Sequence, residues 1–340
     1  MRPRPFVLVI GAALALTACQ PTASPATSAS SAASATPAAL RDVRLLLSFR
    51  PDVQFAPFYL AQQEGYFADE GLEVSIEHAD GGELLRLVAN GDADVGVADA
   101  TDVMIAKTSG IPVTYVSTLF QSFPVAVIGP AGSVPEEPAL LAGMRIGTPG
   151  PFGSSWHALL ALLDAGGLTV DDVTIREYPQ FNQVEGLLAD DVDLITGFRN
   201  NEPLRLEAEG MTTELLTIDD IAPLPGPGVV VGDDALAADP SLAEAFAQAL
   251  ARAQQAVIDD PEAGLEAAIV AVPTIEEDVE TARAVLLATT ELWASDDPEL
   301  PLGAINEALW ATGYDTMDRL GFIDGSVPLE AMIRPAIPID

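Results

Sequence analysis

The sequence predicts an α/β fold in two lobes with a ligand cleft between them. Three observations lead there. Short apolar runs alternate with helix-length amphipathic segments through residues 43–231, the pattern of parallel βαβ units. Residues 92–118 have an echo at 191–216: each runs Asp-x-Asp, an apolar strand, a polar loop, a helix, a glycine and another strand. The length of 340 residues suits two domains or one domain in two lobes.

Taken in order, the chain starts with Met1-Arg-Pro-Arg4 and an apolar run, Phe6–Leu16. That run is too short to span a bilayer but suits a signal-peptide core. Leu16-Thr17-Ala18-Cys19 comes next and looks like a bacterial lipobox, with Cys19, the only cysteine, as the lipidation site. Residues 1–19 then read as a lipoprotein signal peptide. The uncharged Ser/Ala/Thr/Pro stretch after it makes residues 20–41 a flexible tether. Strands are expected at Val43–Leu47, Val74–Glu77, Val95–Val97, Val113–Leu119, Val125–Ile128, Arg145–Thr148, Val173–Tyr178, Leu194–Gly197, Glu214–Ile218 and Val229–Val231. Between them, apolar positions at helical spacing predict one helix in Gln54–Ala68, from about Pro57, and others at Glu83–Asn90, Thr101–Ser109, Ser154–Ala165, Val184–Ala189 and Glu202–Glu209. Beyond residue 231 the pattern is all helical: Leu242–Asp259, Pro261–Ala271, Glu276–Ala294 and Ala304–Leu320.

Composition excludes several functions. The formal charge is −36, and nucleic acid demands a basic surface. Such an acidic chain suits high salt, where repulsion among carboxylates is screened. Asp92/Asp94 and Asp171/Asp172 lack the spacing of a calcium loop, so no metal is expected. A Gly-x-Ser-x-Gly elbow is absent, which leaves Ser154 and His157 without hydrolase context. His78 reads as a surface residue, and Lys107, the single lysine, lies in polar surroundings that also say surface.

Gly65-Tyr66-Phe67, followed by Gly71-Leu72-Glu73-Val74, resembles a signature of ABC-importer solute-binding proteins. Asn90-Gly-Asp-Ala-Asp-Val-Gly96, Gly110-Ile-Pro-Val113 and Gly143-Met-Arg-Ile-Gly147 continue the likeness across most of 43–300. Phe49-Arg-Pro51, Gln54-Phe-Ala-Pro-Phe-Tyr59 and Asn200-Asn-Glu-Pro203 look most like its thiamine-precursor and riboflavin-type subgroup, with Asp52 where that pattern has Asn. The resemblance implies a type II periplasmic binding protein fold whose crossover strands are Val125–Ile128 and Gly228–Val231. Lobe one is then 42–126 plus 231–340 and lobe two 127–230. It also implies an ABC permease as partner, a membrane tie through Cys19, an extracytoplasmic location, a monomer and no cofactor. The expected ligand is a thiamine pyrimidine precursor or riboflavin. Alternatives are a sulfonate, taurine or nitrate binder of the same fold, the related pyrimidine-synthesising enzyme, and an adhesive or sensory lipoprotein.

Ligands of open α/β sheets bind beyond the carboxyl ends of strands, and the site residues are sought there. Phe49, Phe55 and Tyr59 are candidate walls for a planar ring, with Gln54 as polar neighbour; as a buried helix start they need no ligand. Ser154, Ser155 and Trp156 open a helix whose free N–H groups suit a carbonyl or an anion, though capping alone explains the serines. Phe198, Asn200 and Glu202 offer a ring, an amide and a carboxylate, with Asn201 as the helix cap. Asp99, Thr101 and Asp102 in the matching loop come second, and Gln180, Phe181 and Asn182 third.

Overall fold

The computed structural model describes residues 39–338 apart from 80, 220 and 296. Cys19, the signal peptide, the tether to residue 38, and Asp80 beside His78 therefore lie outside the described residues. Among the described residues ten strands form: β1 Arg41–Ser48, β2 Leu72–Ala79, β3 Val95–Ala98, β4 Val113–Thr118, β5 Val125–Pro130, β6 Arg145–Thr148, β7 Thr174–Glu177, β8 Leu194–Phe198, β9 Thr213–Thr217 and β10 Gly228–Gly232. They assemble two five-stranded sheets, in the orders β2-β1-β3-β10-β4 and β7-β6-β8-β5-β9. In each sheet the first three strands are parallel. The fourth, β10 or β5, is antiparallel to both its neighbours. Each of these antiparallel strands is the one by which the chain enters its sheet from the other.

The sheets repeat each other, as the echo implied, and the Asp-x-Asp motif has a physical reason. Asp94 Oδ2 accepts the Arg44 backbone N–H at 2.8 Å, and Asp193 Oδ2 accepts that of Arg145 at 2.8 Å. In both sheets an acidic residue at the start of the third strand locks the second strand beside it. The arginines reach back: Arg44 to the Asp92 carbonyl at 2.7 Å, Arg145 to the Asp191 carbonyl at 3.2 Å.

Both faces of each sheet are covered, which is why the strands read as apolar runs. Leu45, Leu47, Val95 and Val97 join the core beneath the helices Ala56–Gln63, Ser241–Asp259 and Pro261–Ala271. Leu46, Tyr115 and Val230 point the other way, towards Trp310 and Met317 of Glu307–Arg319. In the second sheet Val125 and Val127 face one core, Ala126 and Ile128 the other. The C-terminal segment runs beside β4 through backbone bonds of Tyr115 with Met332 and Arg334, shielding an otherwise open edge.

Three expectations need correction. The segment Gln54–Ala68, expected as one helix from about Pro57, is three pieces: a 3-10 turn Val53–Phe55, the helix Ala56–Gln63 and the short helix Tyr66–Asp69. Gly65, at φ +76°, makes the break, a conformation that costs other residues a steric penalty. After it Phe67 stacks on Phe246 at 5.1 Å and Tyr66 lies under Arg252. The Gly-Tyr-Phe signature thus builds lobe structure. Helix Glu276–Ala294 begins at Val279, because Pro273–Asp278 winds as 3-10 and Asp278 caps the α-helix by accepting the Thr281 N–H. Helix Ala304–Leu320 begins at Glu307, with Asn306 as its cap.

Candidate functional site

A cavity lies where the two sheets' strand ends meet. It encloses about 110 Å³, against the roughly 10–15 Å³ one water needs. Its walls come from residues just past the carboxyl ends of β1, β3, β4, β6, β7 and β8, the position that α/β sheets reserve for ligands.

Rings make the walls. Phe49 and Phe55 come from the β1 end, Phe120 from β4, Phe152 and Phe181 from the β6 and β7 ends, and Phe198 from β8. Phe49 meets Phe181 edge-on across the cleft, with centroids 4.9 Å apart. Both carry positive φ, +72° and +55°, a conformation seldom kept by bulky residues unless the surroundings hold it. Phe55 sets its edge to His78 at 5.3 Å, and Phe198 to Phe120 at 6.3 Å.

The polar groups are acids, amides and the hydroxyls of Ser48, Ser154 and Ser155. Asp99, Asp102 and Glu202 line the cavity with Gln54, Gln183 and Asn201, and no lysine, arginine or histidine is among the described lining residues. Glu202 is buried, and its Oε2 accepts the Phe198 backbone N–H at 2.7 Å. It fits because residue 197 is glycine: a Cβ there would lie 2.8–2.9 Å from the Glu202 side chain. Burial raises the Glu202 carboxyl to about 7, while the Phe198 N–H and Arg205 pull the other way. Gln54 Oε1 and Gln183 Oε1 are buried without a hydrogen-bond partner among the described residues. Such unpaired acceptors are expensive unless something donates to them.

The cavity therefore gathers eight of the twelve ligand-site candidates: Phe49, Gln54 and Phe55, then Asp99, Ser154 and Ser155, and finally Phe198 and Glu202. Four lie elsewhere. Tyr59 sits behind the wall, its hydroxyl 3.4 Å from His78 Nε2. Thr101 turns to His157, whose Nδ1 is 2.9 Å from its hydroxyl. Trp156 packs on the core of the second sheet. Asn200 donates to Thr289 Oγ1 at 2.7 Å, bridging to the C-terminal helices. Gln180 and Asn182 also fall outside the lining, whereas Phe181 and Asp102 belong to it.

Other readings change as well. Asn201 does not cap its helix; its amide meets Asp52 at 3.3 Å and Arg205 at 2.5 Å. Asp52 is buried, caps Val53 N–H at 2.7 Å and pairs with Arg205 at 2.8 Å. His78 is half-buried, bonded to the Phe49 carbonyl at 2.9 Å, so it braces the cavity wall instead of facing solvent. Lys107 is not on the surface: its ammonium is held by both Asp233 oxygens, at 2.6 and 2.7 Å, remote from the cavity lining. Phe120, Phe152, Gln183 and Asn201 escaped the sequence reading as cavity residues. Phe120 alone had a usable signal, standing one residue past an expected strand end.

Comparison with known proteins agrees with this architecture. Residues 52–264 match the family described as NMT1/THI5 like. The chain is 32% identical to the riboflavin-binding protein RibY of Chloroflexus aurantiacus over 335 residues, 96% of this chain and 93% of that one. It is 28% identical to the 4-amino-5-hydroxymethyl-2-methylpyrimidine phosphate synthase of Aspergillus parasiticus over 242 residues, 66% of this chain and 69% of that protein. Among solved structures, the periplasmic aliphatic sulphonate binding protein SsuA of Escherichia coli superposes with a TM-score of 0.68 at 13% identity, covering 86% of this chain and 92% of its own. The periplasmic nitrate-binding protein NrtA of Synechocystis PCC 6803 gives 0.66 at 14%, covering 87% and 86%. At such identities these structures establish the fold alone, the two-lobed type II periplasmic binding protein fold.

Proposed function

The chain belongs to the NMT1/THI5-like family, and on that premise we propose that it is the extracytoplasmic solute-binding component of an ABC importer. Its ligand is a small aromatic N-heterocycle, riboflavin or a thiamine pyrimidine precursor. One observation carries this reading: the cleft is walled by phenylalanine rings and its polar side chains are acids, amides and serine hydroxyls, without a basic side chain among the described lining residues. Planar rings stack on such walls. Ring N–H groups pair with Gln54 and Gln183, whose buried oxygens lack a partner among the described residues, and with Glu202 Oε1, which accepts only a long 3.4 Å bond from Gln183. A sulfonate or nitrate would meet carboxylates instead.

Each part of the chain then has a task. Lobe one, residues 42–126 plus 231–340, and lobe two, 127–230, close on the ligand, and the permease reads the closed form. Binding shifts the population only by its preference for that form. Cys19 carries the lipid that holds the monomer at the membrane. The site binds and does not transform: Lys107, His78 and His157 all lie outside the lining.

A thermal-shift panel tests this with riboflavin, thiamine, hydroxymethyl- and formylaminopyrimidines, taurine, an alkanesulfonate and nitrate. A ligand at a hundred times its dissociation constant adds roughly 2.7 kcal/mol. A shift with a flavin or a pyrimidine is the expected result. A shift confined to sulfonate or nitrate would overturn the ligand class, and release of a converted pyrimidine would overturn the non-enzymatic reading.

A further inference from the structure

The helix Gly153–Ala165 begins at the cavity, and its own N-cap residue, Phe152, has no side chain able to cap it. The opposite lobe supplies the cap. Asp99 Oδ2 accepts the Ser154 backbone N–H at 2.9 Å, spanning the cleft. Asp99 is itself the N-cap residue of Ala100–Thr108, yet makes no capping bond there. An aspartate at that position ordinarily caps its own helix; here its carboxylate serves the other lobe's.

The fit is close. A Cβ on residue 153 would come within 3.1 Å of Asp99 Oδ2, and Gly153 also sits at φ +69°. The Ser154 hydroxyl faces the same carboxylate outside bonding geometry, and it is buried without a hydrogen-bond partner among the described residues. A helix N-terminus with free N–H groups attracts an anion, and the unpaired hydroxyl beside it is a further donor. In this chain a carboxyl group is already there, attached to the opposite lobe; burial pushes it up from the usual carboxylate range, and the bond from the Ser154 N–H pulls it part of the way back.

We propose that the Asp99 carboxyl group is a built-in occupant of the helix N-terminus an acidic solute would otherwise take, and so sets the cavity's selectivity for ligands without a negative charge. The contact also joins the lobes, so it strengthens the closed form without help from a ligand's acidic group. Asp102, on the next turn, also lines the cavity, so an entering anion meets a second carboxyl group and no basic side chain among the described lining residues. This deepens the reading of a neutral heterocycle site and rests on it for the native ligand, but its anion arm stands alone.

The test is titration of purified wild type, Asp99→Ser and Asp99→Asn with methanesulfonate and with nitrate. Ionic strength is held constant with chloride, because so acidic a chain responds to salt in general. Wild type is expected to ignore both anions. Asp99→Ser, which vacates the N-terminus, should bind at least one of them about tenfold tighter or better. Asp99→Asn keeps the shape and an oxygen for the Ser154 N–H, guards against misfolding, and should gain a smaller part. Anion binding by wild type would overturn the proposal, as would two folded variants that gain none. Parallel titrations of wild type with riboflavin and an aminopyrimidine separate the two readings. Failure there sinks the heterocycle assignment and leaves the anion result to be judged by itself.

Discussion

Glu202→Gln should change how stability depends on pH, by an amount the structure sets. The Glu202 carboxyl is raised from 4.5 to about 7, chiefly by burial, with nearby Asp52 pushing the same way. Between these values the folded protein holds a proton that the unfolded chain has released. Stability from this group is thus full below pH 4.5 and is lost as pH rises through 7. At 1.36 kcal/mol per pH unit the interval is worth on the order of 3 kcal/mol, or roughly 5–10 °C in melting temperature for a chain of this size. Wild type alone cannot reveal it. Burial lowers His157 to about 4, so its contribution is present above pH 6.5 and lost as pH falls through 4, opposing Glu202 across the shared window. Glutamine keeps an oxygen for the Phe198 N–H and does not titrate. The assay is therefore the difference in melting between Glu202→Gln and wild type from pH 4 to 8.5, without ligand. The variant should gain steadily on wild type between pH 4.5 and 7. A flat difference, within about 0.5 kcal/mol, would refute the buried, proton-holding carboxyl.

Gly197→Ala places a Cβ against Cγ and Cδ of Glu202; the side chain must swing out and strand the Phe198 N–H. A loss of about 1–3 kcal/mol in denaturant melts is expected, with a weakened heterocycle shift, whereas a wild-type shift would show that Glu202 does not touch the ligand. Phe49→Ala removes the edge contact with Phe181, worth about 0.5–1.5 kcal/mol. Ligand release measured by stopped flow should quicken up to about tenfold, and an unchanged rate would exclude a gate at this pair. Lys107→Ala leaves Asp233 with the Thr114 hydroxyl but without its cation, in a site that is only partly dry, so about 1–3 kcal/mol of stability is lost. Heterocycle affinity should stay put, and a specific loss of binding or turnover would reopen the enzymatic alternative.

The framework was legible because it is written in local patterns. Strands such as β1 and β10 are buried on both faces and appear as unbroken apolar runs. The Asp-x-Asp echo marked two equivalent sheets, since each motif ties the third strand to the second through one carboxylate and one N–H. The site was legible only as a set of loops. Whether a side chain in such a loop faces the cavity depends on partners far along the chain. Asn200 looked like a ligand group but bonds Thr289, 89 residues away. Lys107 looked exposed but is held by Asp233, 126 residues away. Gln183 gave no signal, because a helix-opening glutamine is ordinary until its oxygen is found buried and unpaired.

The repeated sheets also explain how one architecture yields an asymmetric cleft. The loops after β3 and β8 are equivalent, and both present carboxyl groups to the cavity, Asp99 and Asp102 from one and Glu202 from the other. Asp102 stands at the place of Glu202, four residues past its strand end; Asp99 stands three residues earlier, and that offset separates its chemistry from that of Glu202. Asp99 directly follows β3 and reaches across to the Ser154 N–H. Glu202 lies a turn later and folds back over Gly197 onto the Phe198 N–H of its own lobe. The first carboxylate is engaged between the lobes, where it strengthens closure and repels acids. The second keeps Oε1 almost free, with Gln183 no nearer than 3.4 Å, and a proton affinity near neutrality lets it donate or accept. A symmetric pair would leave either two acidic walls or two clasps. Offset by three residues, one closes the cleft and the other remains to read the edge of the ring.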